Sequence, residues 1–357
     1  QKFADFSKNN LHILGYSNAC NMEVTLSELL PHIYTQPDQP DVIPYVTSYY
    51  EDRWGFCMSE NDKQKLPDGK YRVIIDATKG AGSLELADLI INGQSNKEIF
   101  FSTYVCHPSM ANNELSGPAL ASALIQYIKT KYPNPQYTYR FVFAPETIGS
   151  ITYLSKHIQT LKESVICGFN LSCVGDERAY SHIESRMGGT LADDALQAAL
   201  IGLDNVVTYS FLERGSDERQ YCAPGVDLPF CGFCRTKYEK FPEYHTSADN
   251  FDVVTAEGLE DSFNVMKSII DAFEMKLFPR INVICEPQLG KRGLRPTISQ
   301  KGYSHDANIR ADLIAYADGK HSLFDISNKI NKSLELILSE VKILKDNKLI
   351  NLYKNKI

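Results

Sequence analysis

One segment of the chain combines a buried strand, a histidine and a helix, and it limits the fold to few classes. The apolar run at 98–106 predicts a strand that ends at His107. A polar turn with Asn113 and Glu114 follows, and a helix is predicted over about 117–132. A histidine at the carboxyl end of a core strand lies where open α/β sheets bind ligands. Histidine and carboxylate in one loop also offer a metal two of its usual ligand types.

Three further loops carry polar side chains next to predicted strands and helices. Glu146 lies between an apolar run and a helical pattern. Asp217 and Arg219 share a second loop, and Tyr244 and His245 share a third. Each loop alone is a weak signal, because a carboxylate after a strand often only complements a helix dipole. Their order and spacing along one chain are a stronger signal and indicate one site.

The four loops resemble those of the co-catalytic zinc aminopeptidases and the related glutaminyl cyclases. More closely, the chain resembles the aminopeptidase-like proteins of bacterial polysaccharide gene clusters, over nearly its whole length. Typical strings are Cys-His-Pro-Ser-Met-Ala-Asn at 106–112, Ser-Asp-Glu-Arg-Gln-Tyr at 216–221, Tyr-His-Thr-Ser-Ala-Asp at 244–249, and the Pro- and Asp-rich string at 30–41.

The resemblance and the alternation of elements imply an α/β fold in three parts. A β-rich inserted or flanking lobe is expected at 1–94, with the role of one wall of the cleft. A zinc-aminopeptidase-like, mostly parallel sheet sandwiched by helices is expected at 95–285. A linker and a winged-helix domain are expected at 286–357. The resemblance also implies an additional N-terminal segment.

The resemblance implies a metal centre with one zinc ion. It makes His107 and His245 metal ligands, and Glu114 is the candidate for the acidic ligand. Two zinc ions are not expected, because the acidic ligands of the double-zinc site fall on neutral residues of this chain. Those residues are Asn113, Thr147 and Ser172.

The same resemblance gives roles in catalysis and in substrate binding. Glu146 falls on the general base, and Asp217 falls on a residue of the proton network. Asn113, Arg219 and Tyr244 are candidates for substrate binding, since they flank the predicted site. The expected function is a zinc-dependent amide hydrolase, of aminopeptidase or deacylase type, on a small polar or peptide-like substrate, for instance a sugar-linked one. The alternatives are a non-catalytic scaffold of the same fold and a zinc-dependent cyclase or acyl transferase.

Composition bears on compartment and partners. The 357 residues carry a net charge of −7, which argues against general nucleic-acid binding. Nine cysteines at irregular spacing fit a reducing cytoplasm better than a disulfide scaffold. The sequence has no stretch as long and apolar as a membrane span. The C-terminal module mixes Lys with Glu, so contact with protein, including a homo-oligomer, is favoured over DNA.

Overall fold

The computed structural model describes residues 2–295 and 305–355, and the first part of the chain forms a small β-containing lobe. It contains two strand pairs: Cys20–Thr25 pairs antiparallel with Lys70–Ile75, and Ile33–Tyr34 pairs parallel with Phe56–Cys57. The lobe has a hydrophobic core of its own, which includes Val24, Ile33 and Val73. The strands and helices of the lobe are β1 (Cys20–Thr25), α1 (Leu26–Leu29), β2 (Ile33–Tyr34), β3 (Phe56–Cys57), α2 (Glu60–Gln64) and β4 (Lys70–Ile75).

A seven-stranded mixed sheet follows and forms the centre of the molecule. Its strands are β5 (Ala87–Ile91), β6 (Glu98–Tyr104), β7 (Thr138–Ala144), β8 (Val165–Leu171), β9 (Tyr180–Ile183), β10 (Val206–Tyr209) and β11 (Phe230–Cys234). Among the described residues of this sheet the strand order is β10-β9-β11-β8-β6-β7-β5, and neighbouring strands are parallel except at β11–β9 and β7–β5. Every residue of β6 is buried, which explains why its sequence is a continuous apolar run.

Helices cover both faces of this sheet. These helices are α3 (Ser116–Lys131), α4 (Ile148–Ser164), α5 (Leu191–Leu200), α6 (Glu218–Tyr221) and α7 (Ala256–Glu274). Alternate residues of a strand point to opposite faces, so Phe100 packs on the side of α4 and α6, whereas Phe101 packs on the side of α3, α5 and α7. The predicted α/β sandwich is confirmed. Among the described residues, no helix is long and apolar enough to cross a membrane.

The C-terminal module has three helices and a two-stranded antiparallel sheet, as a winged helix does. The elements are β12 (Phe278–Ile281), α8 (His305–Tyr316), α9 (Leu323–Ile330), α10 (Leu334–Asp346) and β13 (Ile350–Tyr353). Its helices share one continuous core with α5 and α7. Residues 296–304, which fall in the linker and winged-helix part expected at 286–357, lie outside the described residues.

Two of the expected boundaries would separate strands that pair with each other. β5 lies before the boundary at 94, yet it is the edge strand of the central sheet next to β7. β12 lies before the boundary at 285, yet it is the partner of β13. In both cases a strand needs a hydrogen-bonded neighbour, and that neighbour lies across the expected boundary.

Candidate active site

The first loop of the site follows β6 and holds His107 through Glu114. A short π-helical segment, Ala111–Leu115, turns the Glu114 carboxylate back towards this loop. One Glu114 oxygen accepts the backbone N–H of Cys106, and the other accepts the backbone N–H of His107 at 2.9 Å. The second oxygen also lies 3.1 Å from His107 Nδ1. A carboxylate on Nδ1 fixes the ring and leaves Nε2 as the atom that is free for a ligand.

This geometry differs from the role expected for Glu114. Both of its oxygens are engaged with the backbone and ring of the His107 loop, and the residue is buried. A metal ligand would have to give up these contacts. Glu114 therefore supports a histidine in the structure, where the sequence had suggested an acidic ligand.

Glu146 faces His107 from the end of the neighbouring strand, β7. Its Oε2 lies 3.8 Å from His107 Nε2. Burial raises the pKa of Glu146, while the charge of His107 and a hydrogen bond from Ser216 oppose that rise. A carboxyl group with a raised pKa, close to a ligand position, is suited to proton transfer.

His245 approaches the same point from the loop that precedes α7. Its ring stacks on Tyr244 at 3.8 Å between centroids, and it lies 5.0 Å from the ring of His107. Tyr45 of the N-terminal lobe contacts both histidine rings edge-on. Burial and the charge of His107 lower the pKa of His245 to about 4, so the ring is neutral at neutral pH. Its Nε2 is buried without a hydrogen-bond partner in the described structure, which an absent ligand would explain.

Asn113 lies in the π-helical segment of the first loop and is held by a network of buried groups. Its Nδ2 donates to the hydroxyl of Tyr104 at 2.7 Å, and its backbone N–H donates to Asp249 at 2.9 Å. Its Oδ1 is buried and has no partner among the described residues. Asp249 also accepts the backbone N–H of Asn112. It therefore ties the His245 loop to the His107 loop, a role that its place in the Tyr-His-Thr-Ser-Ala-Asp string did not reveal.

Asp217 is fixed under the first turn of α4. Its Oδ1 accepts the backbone N–H of Thr147 and the hydroxyl of Ser150, both at 2.8 Å. Burial raises its pKa to about 7. Arg219 donates to Thr147 Oγ1 at 2.6 Å. Both residues thus contact the Glu146 loop, which places Asp217 one step away from the histidines.

Arg235 and two of the neutral residues at the acidic positions of a double-zinc site have partners of their own. Arg235, which flanks the site loops in sequence, is 2% exposed; it stacks on Tyr180 and pairs with Asp261. Of the neutral residues at the acidic positions of a double-zinc site, Thr147 bonds to Arg219, and Ser172 lies against a cysteine, Cys234. These positions supply no negative charge to a second metal ion.

The sequence reading missed Cys106. It was counted as part of an apolar strand, but β6 ends at Tyr104 and Cys106 is exposed in the loop. One potential ligand atom from each of Cys106, His107 and Glu146 lies within 4.8 Å of the others. A second such group in the described chain, His182 with Asp193 and Cys231, is fully buried.

The fold and the position of this site define the class of protein. The structure of a zinc aminopeptidase from Bacillus subtilis superposes with a TM-score of 0.51 over 67% of this chain and 62% of that chain, at 16% identity. At that identity the likeness concerns the fold alone. The chain is thus an aminopeptidase-like α/β protein with a C-terminal winged-helix region.

The particular family follows from two matches along the chain. Residues 32–276 match the family described as domain of unknown function DUF4910, and residues 277–352 match a winged helix-turn-helix. The chain therefore belongs to the DUF4910 family.

A protein and a crystal structure from Clostridium acetobutylicum are more similar to this chain than the Bacillus aminopeptidase is. One is a protein provisionally assigned to polysaccharide biosynthesis, with an aminopeptidase-like domain. It is 40% identical over 336 residues, which are 92% of this chain and 76% of that protein. The other is a crystal structure provisionally named a peptidase. It has a TM-score of 0.88 and 37% identity, over 99% of this chain and 80% of that one.

Proposed function

We propose that this protein is a single-metal amide hydrolase that removes an amino-acyl or acyl group from a small polar substrate. The observation that carries the proposal is the placement of Glu146, with its carboxylate 3.8 Å from the free ring nitrogen of His107. A proton-transfer group next to a ligand position is the minimum that a hydrolytic metal site requires. The aminopeptidase-like fold agrees with this chemistry.

The residues present fit one zinc ion. His107 and His245 would hold it through their Nε2 atoms, since Glu114 occupies Nδ1 of His107 and Nε2 of His245 is buried without a partner. Glu114 would orient His107 rather than bind the metal. When bound, zinc supplies a Lewis acid that polarises a carbonyl group and lowers the pKa of water.

The protein's own groups would do the proton transfer and the positioning. Glu146 would take a proton from the attacking water and give it to the leaving amine, and its raised pKa suits both steps. The unpartnered Oδ1 of Asn113 would accept a hydrogen bond from a substrate N–H or O–H. Asp217 would hold the Glu146 loop in place through the first turn of α4. Tyr244 would keep the ring of His245 in its plane by stacking.

Two exposed aromatic rings of the N-terminal lobe favour a sugar-linked substrate. The backbone N–H of Tyr45 donates to the carbonyl of His245, and the same segment bonds onward to Gly15. Tyr16 and Tyr49 adjoin this connection in sequence, with ring centroids 5.9 Å apart and exposures of 61% and 63%. Exposed aromatic rings offer flat faces on which the C–H side of a sugar packs. The assignment of a relative to polysaccharide biosynthesis supports the same substrate class.

A non-catalytic scaffold is the second candidate, and a specific observation favours it. The three positions that supply acids in a double-zinc aminopeptidase are Asn113, Thr147 and Ser172 here. Metal content separates the two candidates, because a scaffold without a metal needs neither histidine. A cyclase or acyl transferase would share the metal and differ in the acceptor.

The test combines metal analysis with turnover. We expect one equivalent of tightly bound zinc in the purified protein, and its loss in His107→Ala and in His245→Ala. His157→Ala, which changes a histidine on α4, is the matched control and should keep the metal. Glu146→Gln should also keep the metal but lose roughly 100-fold or more in hydrolysis of amino-acyl amides or N-acyl amino sugars.

Several results would contradict the proposal. Two equivalents of zinc, or full retention of zinc in both histidine variants, would place the metal elsewhere. A Glu146→Gln protein with normal turnover would remove the proton-transfer role. A Glu146→Gln protein without metal would make Glu146 a ligand. A wild-type protein with no metal and no turnover would support the scaffold.

A further inference from the structure

The sulfur of Cys106 lies within the cluster that the two site loops form. Its Sγ lies 3.1 Å from Nδ1 of His107. The backbone N–H of Glu146 donates to the same sulfur at 3.4 Å. Cys106 is exposed, and two polar contacts, one from its own loop and one from the Glu146 loop, converge on its sulfur.

The charge balance of the site gives Cys106 a role as a ligand. A zinc ion held by two neutral imidazoles carries its full double charge into a partly buried site. Asn113, Thr147 and Ser172 contribute no charge, and both oxygens of Glu114 are engaged with the His107 loop. Glu146 is needed for proton transfer. Within the described group of Cys106, His107 and Glu146, Cys106 is then the member that can supply a negatively charged ligand atom.

We propose that Cys106 binds the metal as a thiolate, together with His107 and His245. This inference rests on the proposed function, because it presupposes that the site binds a metal. Coordination replaces the S–H proton, which passes to the solvent, so no oxidant or reductant is involved. The backbone N–H of Glu146 would then donate to a negatively charged sulfur, and hydrogen bonds to charged acceptors are the stronger kind.

A sulfur ligand would set the metal preference of the site. Thiolate and imidazole donors favour zinc, cobalt and other late transition metals, whereas Mg²⁺ and Ca²⁺ prefer oxygen. Two histidines and one cysteine also leave a position open, as three protein ligands do in catalytic zinc sites. The consequence is a hydrolytic centre whose charge comes from sulfur, although the carboxylates of the double-zinc pattern are absent from their aligned positions.

Cobalt substitution tests the inference directly, because a thiolate bound to Co²⁺ gives an intense charge-transfer band in the near ultraviolet. We expect the wild-type protein to bind one equivalent of Co²⁺ and to show the band. Cys106→Ser should lose the band and bind Zn²⁺ at least about tenfold more weakly. Cys106→Asp, which restores a negative donor, should recover affinity but not the band. Cys285→Ser, at another exposed cysteine, is the matched control and should keep the band.

The buried group with Cys231 needs its own control, since it could also hold cobalt. Cys231→Ala should leave the band unchanged. A band that survives in Cys106→Ser and disappears in Cys231→Ala would overturn the inference. One equivalent of Co²⁺ that depends on His107 and His245 but gives no sulfur band would overturn it too, while the proposed hydrolase would stand. A wild-type protein that binds no Co²⁺ or Zn²⁺ would overturn both.

Discussion

At the scale of single residues, Asp217 makes stability depend on pH. Its buried carboxyl group has a pKa raised to about 7, so the folded chain keeps a proton that the unfolded chain loses near its ordinary value of 3.8. The free energy of unfolding should therefore fall as pH rises through this window. Asp217→Asn keeps an acceptor oxygen for Thr147 and Ser150 but cannot ionise. As pH rises from about 4 to 8, we expect the free energy of unfolding of this variant to increase by roughly 2–4 kcal/mol relative to that of the wild type.

Denaturant unfolding of the metal-free protein at both pH values measures this difference. His245 acts in the opposite sense, because its pKa is lowered to about 4 and its contribution is lost as pH falls below 6.5. That contribution is common to both proteins and cancels in the comparison. Asp204→Asn, at an exposed aspartate, reports the effect of the same substitution in solvent. A constant difference between Asp217→Asn and wild type across the range would contradict the argument.

The residues that meet in the site could be predicted to different degrees. His107, Glu146 and His245 lie in strings whose order is informative, and the structure brings them together. The order of these strings does not reveal which side chains contact each other within a loop. Glu114 was expected to bind a metal because only its residue type was known, whereas the π-helical turn directs it to His107. Cys106 looked like the last residue of a strand, and the end of an apolar run is a poor guide to the end of a ladder.

At the scale of elements, continuous apolar runs and helical periodicity were reliable guides. The buried strand β6 and the helix α3 lie where the patterns at 98–106 and about 117–132 predict them, and Glu146 lies between a strand, β7, and a helix, α4, as its flanking patterns indicate. β9 was not predicted, because its short sequence Tyr-Ser-His-Ile contains two polar residues that are buried through hydrogen bonds. β5 was not predicted as part of the sheet. It is an edge strand with exposed positions, so its sequence lacks the signature of a buried strand.

The start of α3 is an element whose packing depends on one glycine. A Cβ at Gly117 would lie 2.2 Å from Thr103 Oγ1 and 2.6 Å from the carbonyl oxygen of Leu171. Both atoms belong to the sheet, so the helix or a strand must shift. We expect Gly117→Ala to lower the free energy of unfolding by about 1–3 kcal/mol, as overpacking does.

The same substitution should weaken metal binding, because Asn113 and Glu114 directly precede this helix. Gly82→Ala is the control, since a Cβ at Gly82 meets nothing within 4 Å. Denaturant unfolding and zinc affinity of both variants are the measurements. If Gly117→Ala were as stable as Gly82→Ala, the close approach of helix and sheet would not be a constraint.

At the scale of the whole molecule, the winged-helix module is joined to the sheet domain through a shared interior. Helix α9 packs on α5, and Asn328 Nδ2 donates to the carbonyl of Asp194 at 3.0 Å. The buried face of α10 carries Leu334, Ile337 and Val341. Its exposed positions mix acids and bases, so a role as a sequence-specific DNA reader is not favoured, and contact with another protein or subunit stays a prediction.

Phe324 provides the test of this shared interior. The residue is fully buried, and its ring packs edge-on against Phe273 of α7 with centroids 5.3 Å apart. Phe324→Ala removes a large side chain from the shared core and should lower the free energy of unfolding by about 3–5 kcal/mol. Because the module and the sheet share that core, we expect the substitution to destabilise the sheet as well as the module. Ser339→Ala, at an exposed position of α10, should have little effect.

Two probes follow the transition, far-ultraviolet circular dichroism for the helices and thiol labelling of Cys167 and Cys231 for the sheet. Both cysteines are fully buried in strands of the central sheet, and they belong to the hydrophobic core that the sheet shares with the module. In Phe324→Ala the midpoints of both probes should move to lower denaturant concentration together, since one cooperative unit loses stability as a whole. Early loss of helix signal with unchanged labelling of the two cysteines would show that the module unfolds by itself. The aminopeptidase-like domain would then be stable without it.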